Sequence, residues 1–148
     1  MITPIGYLAP PELMKINFCD LTLAENSERI IWEKARGLVQ SNGFILGTEV
    51  TEFEDAFANY CETEYSKGVA TGCDALLWVM EGLGIGKGDE VITVANTFIG
   101  SVLPIIKAGA SPVLVDCDPV TQQIDPQAVL EAITPKTAAI VAVHLYGR

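Results

Sequence analysis

Basic residues are scarce in this 148-residue chain: nine Lys and Arg stand against nineteen Asp and Glu, a formal net charge of −10. Capture of nucleic acid or of an anionic membrane surface draws on clustered cations and is excluded as a main activity, so any anionic ligand must be held locally. The four cysteines, Cys19, Cys61, Cys73 and Cys117, match no zinc or CxxC spacing and are too sparse for a disulfide framework. Reduced thiols are expected, and no metal site is assigned. No run reaches the roughly 18 apolar residues of a membrane span, and Met1 to Pro11 lacks the basic stretch and apolar core of a leader. A soluble cytoplasmic protein is the expectation.

Hydrophobic residues make up 49% of the chain, charged ones 19%, and mean hydropathy is +0.33, which excludes intrinsic disorder and points to elements buried on more than one face. Residues 1–21 hold Pro4, Pro10 and Pro11 with little periodicity and read as an extended arm. Residues 22–64 read as two helices. The first runs from about Leu23 to Gln40 and stops at Ser41, Asn42 and Gly43; the second follows Gly47. In the second, Val50, Phe53, Phe57 and Tyr60 fall on one face and are expected in the core, while Glu49, Glu52, Glu54 and Asp55 are expected in solvent.

From residue 65 onward the period changes to alternating strands and helices. Strands are expected at Ser66–Ala70, Glu90–Val94, Pro112–Val115 and Ala138–Val143. Helices are expected near Asp74–Leu83, Ile99–Ala108 and Pro126–Ile133, with cores at Leu76, Val79 and Met80, at Val102, Leu103 and Ile106, and at Val129, Leu130 and Ile133. Asp125 before Pro126 is a strong helix start. Such units form a parallel sheet with right-handed crossovers and a ligand crevice outside the carboxyl ends of its strands, here residues 71–73, 95–98, 116–118 and 144–147.

At the first of these ends, Thr71, Gly72, Cys73 and Asp74 run from strand into helix. Free backbone N–H groups and the partial positive charge of a helix N-terminus suit a phosphate there, although the local pattern alone favours an ordinary turn with Asp74 complementing the dipole. The glycines at 82, 84, 86 and 88 fit neither GxGxxG nor a P-loop and read as a helix end and turn. Phe98 serves either stacking on a flat ligand or core packing. His144, the single histidine, sits with Tyr146 and Gly147 past the last strand, placed for a ligand or for a structural hydrogen bond. Asp116 and Asp118 read as turn carboxylates.

Several stretches together resemble one family. Phe44 to Gly47 (FILG) with Val50, Phe53 and Glu54, Gly72 to Leu76 (GCDAL), Gly84 to Ile92 (GIGKGDEVI), Asn96-Thr97-Phe98, Gly109-Ala110 with Pro112 and Asp116, and Val143 to Gly147 (VHLYG) occur in the order and spacing of the DegT/DnrJ/EryC1/StrS sugar aminotransferases. The resemblance covers about residue 16 to the end. It implies an α/β fold, the N-terminal part of the large domain of a type I pyridoxal phosphate enzyme, with a mainly parallel sheet between helices in three αβα layers. It implies that Gly72 and Cys73 bind the phosphate of pyridoxal 5'-phosphate through backbone N–H groups, that Phe98 stacks on the cofactor ring, and that Gly47, His144 and Tyr146 border a sugar-nucleotide pocket. Cys73 departs from the hydroxyl residue usual at its position. The implied reaction moves an amino group from a donor such as glutamate to a keto-sugar nucleotide, in a homodimer. The Schiff-base lysine and the pyridine-nitrogen aspartate of the family follow the segment that ends here at Gly147, so both are expected beyond Arg148 and no catalytic residue is assigned within the chain. Residues 65–148 are accordingly expected to be a truncated set of βα units, inactive alone and prone to self-association. A sugar dehydratase of the same family and a non-catalytic binding module are the alternatives.

Overall fold

The computed structural model describes residues 21–147. All of the expected arm except Leu21, and Arg148 at the other end, lie outside the described residues. The described residues fall into two compact units that divide between Phe57 and Ala58. In the first unit, helix α1 spans Glu25–Ser41. It ends where Asn42 takes the left-handed conformation (φ 53°) and Gly43 N–H donates to Leu38 O at 3.2 Å, a helix stop suited to asparagine and glycine. Helix α2, Thr48–Tyr60, starts just after Gly47, whose carbonyl accepts from Val50 N–H at 3.1 Å.

The aromatic face of α2 does not lie in a core. Phe53, Phe57 and Tyr60 are 59, 46 and 84% exposed, whereas Glu54 and Ala58 are buried. A helix buries the face that something covers, and here that is the line through Glu54 and Ala58. Phe53 and Phe57 instead stack on each other, ring centroids 5.7 Å apart.

The second unit contains helix α3 (Gly72–Gly82), strand β1 (Glu90–Val94), helix α4 (Leu103–Lys107), strand β2 (Ser111–Val115), helix α5 (Pro126–Ala132) and strand β3 (Thr137–Val141). The sheet is parallel with order β2-β1-β3. The step from β1 to β2 goes one way across the sheet and the step from β2 to β3 goes back, so crossovers of one hand place α4 and α5 on opposite faces. Two core clusters record this. Val91 packs with Met80, Ile85, Ile105 and Ala110 on the face of α3 and α4, and its neighbour Ile92 packs with Val115 and Val129 on the face of α5. Central β1 is therefore buried on both sides, as its consecutive Val91 and Ile92, which point to opposite faces, require. Pro112 sits on the outer strand β2, where a missing N–H is tolerated.

Three sequence expectations are corrected. Residues 66–70 form no strand, because β1 already has a partner on each edge and the segment joins neither outer strand. The helix expected over 99–108 is broken into a 3-10 turn, Ile99–Ser101, and α4. Pro104 has no N–H to give to the carbonyl four residues back, that of Gly100, and the break shifts the helical phase. Pro104 and Ile105 are buried in consequence, and the expected core residues Leu103 and Ile106 are exposed. Val79, Leu130 and Ile133 are likewise exposed, since α3 and α5 each cover the sheet with a narrow stripe centred on Met80 and Val129.

Candidate functional site

In open parallel sheets ligands bind outside the carboxyl ends of the strands, and in the order β2-β1-β3 the ends of β1 and β3 are neighbours. The residues following β1 are Ala95 to Phe98; those following β3 are Ala142 to Gly147.

Helix α3 presents its N-terminus with two donors left over. Thr71 caps it: its hydroxyl oxygen accepts from Asp74 N–H at 3.2 Å while its O–H donates to Asp74 Oδ2 at 2.8 Å, a reciprocal arrangement related to the capping box. The cap satisfies the third N–H of the helix and leaves those of Gly72 and Cys73 without an acceptor among the described residues. Space around Gly72 is open, with no atom within 4 Å of where a Cβ would stand. This end of α3 can hold an anion through backbone donors and the helix dipole, with no lysine required.

Cys73 and Phe98 meet at Gly100. The Cys73 thiol donates to Gly100 O at 3.5 Å, the carbonyl that Pro104 cannot reach. A Cβ on Gly100 would stand 2.7 and 2.8 Å from Cδ1 and Cε1 of Phe98 and 2.9 Å from Cys73 Sγ. The turn after β1 is braced by the hydroxyls of Thr97 and Ser101, 2.9 Å apart. The Phe98 ring is 74% exposed, so core packing is not its role in the described residues.

His144 is exposed after β3, and Leu145–Gly147 form a 3-10 turn in which Tyr146 has φ 62° and is also exposed. Gln123, from the β2–α5 connection, anchors this turn by donating from Nε2 to Leu145 O at 2.7 Å. Gly47 lies in the other unit, at the start of α2, with a Cβ position 3.0 Å from Gly43 O. Asp116 and Asp118 serve turns. Asp118 Oδ1 accepts from Thr121 N–H at 2.7 Å and Val120 N–H at 3.0 Å, and the Thr121 bonds hold its carboxyl below the ordinary value. No cluster of three or more metal-ligating side chains occurs among the described residues. A groove of about 730 Å³ beside α3, lined by Lys67 to Ala70, Asp74 and Trp78 among others, contains neither Phe98 nor His144.

Sequence reasoning named Thr71 in the turn but missed its capping role, and it missed Gly100 and Gln123. Thr71 was legible as Thr three residues before Asp at a helix start; the other two act through contacts that no local pattern records.

A family model, that of the DegT/DnrJ/EryC1/StrS aminotransferases, matches residues 26–148. The chain belongs to this family. It is 46% identical over 121 residues to dTDP-3-amino-3,6-dideoxy-alpha-D-galactopyranose transaminase of Aneurinibacillus thermoaerophilus, covering 82% of this chain and 33% of that one. It is 43% identical over 137 residues to dTDP-3-amino-3,4,6-trideoxy-alpha-D-glucose transaminase of Streptomyces venezuelae, covering 92% and 36%. Among solved structures, NtdA from Bacillus subtilis, with bound cofactor PMP, superimposes with a TM-score of 0.82 at 32% identity over 93% of this chain and 32% of that one. The α/β fold implied by the resemblance is thus the fold of these aminotransferases. The chain spans about a third of the length of the curated relatives it matches.

Proposed function

We infer that this chain supplies the phosphate- and ring-binding part of a pyridoxal phosphate-dependent sugar aminotransferase, which passes an amino group from a donor such as glutamate to a keto-sugar nucleotide. The observation that carries the reading is the approach of the Cys73 sulfur and the exposed Phe98 ring at Gly100, which brings the ring to the end of α3 where the N–H groups of Gly72 and Cys73 have no acceptor among the described residues. Family membership and the transaminase activities named for its relatives support the same chemistry.

The residues present fit the cofactor. Gly72 and Cys73 would hold its phosphate by two backbone donors, and Phe98 would cover its ring, the aromatic face supplying a flat apolar contact. Bound there, the cofactor supplies the electron sink that amino-group transfer needs. The Cys73 sulfur is engaged with Gly100 O, so the backbone of this residue, and not its side chain, does the anion binding. His144 and Tyr146 border the crevice from the β3 side and Gly47 belongs to the sugar-nucleotide pocket. None of Lys67, Lys87, Lys107 or Lys136 is assigned to Schiff-base or proton chemistry. A cytoplasmic homodimer is the proposed setting, in keeping with the free thiols of Cys61, Cys73 and Cys117.

The test is uptake of pyridoxal phosphate by the full-length protein that carries this chain, read by cofactor absorbance after gel filtration, followed by release of 2-oxoglutarate from glutamate in the presence of a keto-sugar nucleotide. Uptake that the Gly72→Pro variant loses is expected, because proline removes one of the two donors. Absence of uptake by the parent protein would sink the reading.

A further inference from the structure

We propose that Gln123 is a positioning residue for sugar-nucleotide binding: the hydrogen bond from its side-chain amide to Leu145 O holds Tyr146 in a left-handed conformation and so fixes the direction in which that tyrosine leaves the backbone after β3. This rests on the functional reading above, in which Tyr146 borders the sugar-nucleotide pocket, and deepens it. Tyr146 has φ 62° and ψ 15°. For a bulky residue this region is unfavourable, because Cβ crowds the following carbonyl oxygen, and it persists only where the surroundings impose it. Two hydrogen bonds impose it here. The dihedral angles of a residue relate the peptide plane before it to the plane after it. The plane before Tyr146 carries Leu145 O, which accepts from Gln123 Nε2 at 2.7 Å; the plane after it carries Gly147 N–H, which donates to His144 O at 3.2 Å. The second bond closes the turn on itself. The first ties it to a segment 22 residues away. With a tether on each rigid plane, the direction of the Cα–Cβ bond of Tyr146 follows.

The donor is itself held in place. Gln123 O accepts from Asp118 N–H at 2.9 Å, Gln123 N–H donates to Thr121 Oγ1 at 3.3 Å, and Ile124 next to it bridges Cys117 in antiparallel fashion. The Asp118 carboxylate, accepting from Val120 and Thr121 N–H groups, fixes the turn between them. The Gln123 side chain therefore leaves a braced hairpin, and Leu145 O, an acceptor only, requires the amide nitrogen on that side. Tyr146 is 74% exposed, so no core packing among the described residues calls for its left-handed backbone. A tyrosine held at a crevice offers a ligand a flat apolar face and a phenol O–H, which suits a sugar ring and its hydroxyls.

The test uses the full-length protein that carries this chain and its Gln123→Glu variant, which keeps the shape and puts an oxygen where the donor stood. Amide exchange, read by mass spectrometry on peptides that contain Gly147, should rise severalfold in the variant as the turn loosens. In amino transfer from glutamate to the keto-sugar nucleotide that the parent aminates, KM for the sugar nucleotide should rise roughly three- to tenfold, the factor that one neutral hydrogen bond carries. The turnover number and KM for glutamate should stay within about twofold of the parent, a split that general damage to the fold would not produce. In a Tyr146→Ala background the same substitution should cost less than about twofold further, because the tether acts through that side chain. If Gln123→Glu fails to fold, Gln123→Met, of similar length and without a donor, carries the same expectations; failure of both to fold overturns the proposal, since the bond would then serve the fold. With a parent that transfers amino groups, unchanged exchange at Gly147, an unchanged KM for the sugar nucleotide, a loss spread over turnover and both KM values, or an equal loss in both backgrounds overturns this inference alone. A parent that takes up no cofactor or aminates no keto-sugar nucleotide overturns the functional reading, and this inference falls with it.

Discussion

Strand β1 and helix α2 both carry apolar residues in patterns that mean burial, and they meet opposite fates. In β1, Val91, Ile92, Thr93 and Val94 are all within 1% of complete burial, held between β2 and β3 at the edges and between α3, α4 and α5 at the faces. In α2 the period is at least as regular, yet Phe53, Phe57 and Tyr60 stand in the open while Glu54 is covered. Periodicity identifies the side chains for which burial would be favourable. Whether burial happens depends on a second surface, and that is decided by topology. β1 occupies the one place in a β2-β1-β3 sheet that is enclosed from every side; α2 has no such place among the described residues.

The sharpest test of this contrast is Ile92→Ala. Ile92 has no exposed surface and packs between Val115 and Val129. Deleting three carbons from a site walled on all sides leaves a cavity that rigid strands cannot close, and about 2–5 kcal/mol of unfolding free energy should be lost in urea titration. A loss under about 1 kcal/mol would mean that the sheet relaxes around the gap and that β1 is less enclosed than its burial indicates. A smaller effect is expected at the next residue. The Thr93 hydroxyl, wholly buried, donates to Val141 O at 3.0 Å and ties β1 to β3 beside the crevice. Thr93→Val keeps the shape and removes the donor, and should cost about 1 kcal/mol, the net worth of one buried hydrogen bond. An unchanged midpoint would remove this bond from the forces that hold the crevice strands together.

The same distinction explains what could be read in the sequence and what could not. The three strands that exist, the α/β alternation and the caps at Asn42 and Asp125 follow from local composition and are visible in it; Asp125 indeed accepts from Gln127 N–H at 2.8 Å. Residues 66–70 have strand-like composition, but a strand is a pairing, and pairing partners are not local. The break at Pro104 was available from the proline alone, yet its outcome, the phase shift that buries Ile105 in place of Ile106, depends on how α4 meets the sheet. At the site, the strand-to-helix turn at Gly72 and the aromatic at Phe98 could be named separately. Their meeting could not, because Cys73 and Gly100 are 27 residues apart and only the fold brings their atoms to 3.5 Å.

The mildest perturbation completes the comparison from the other side. Phe57→Ser removes a large aromatic ring from a helix, a change that in a core costs about 3–5 kcal/mol for truncation alone. Phe57 is 46% exposed and its ring stacks on Phe53, itself 59% exposed. The stacked pair is worth about 0.5–1.5 kcal/mol at most, and serine costs a little helix propensity. Serine in its place gains solvation, so the net change in unfolding free energy should fall within about 0.5 kcal/mol, the range of surface substitutions. Solubility should rise, because a contiguous exposed apolar stripe favours association. A loss above about 2 kcal/mol would contradict this. It would mean that the stripe is covered in solution, by a second copy or another surface, and that α2 obeys the same rule as β1 once its cover is supplied.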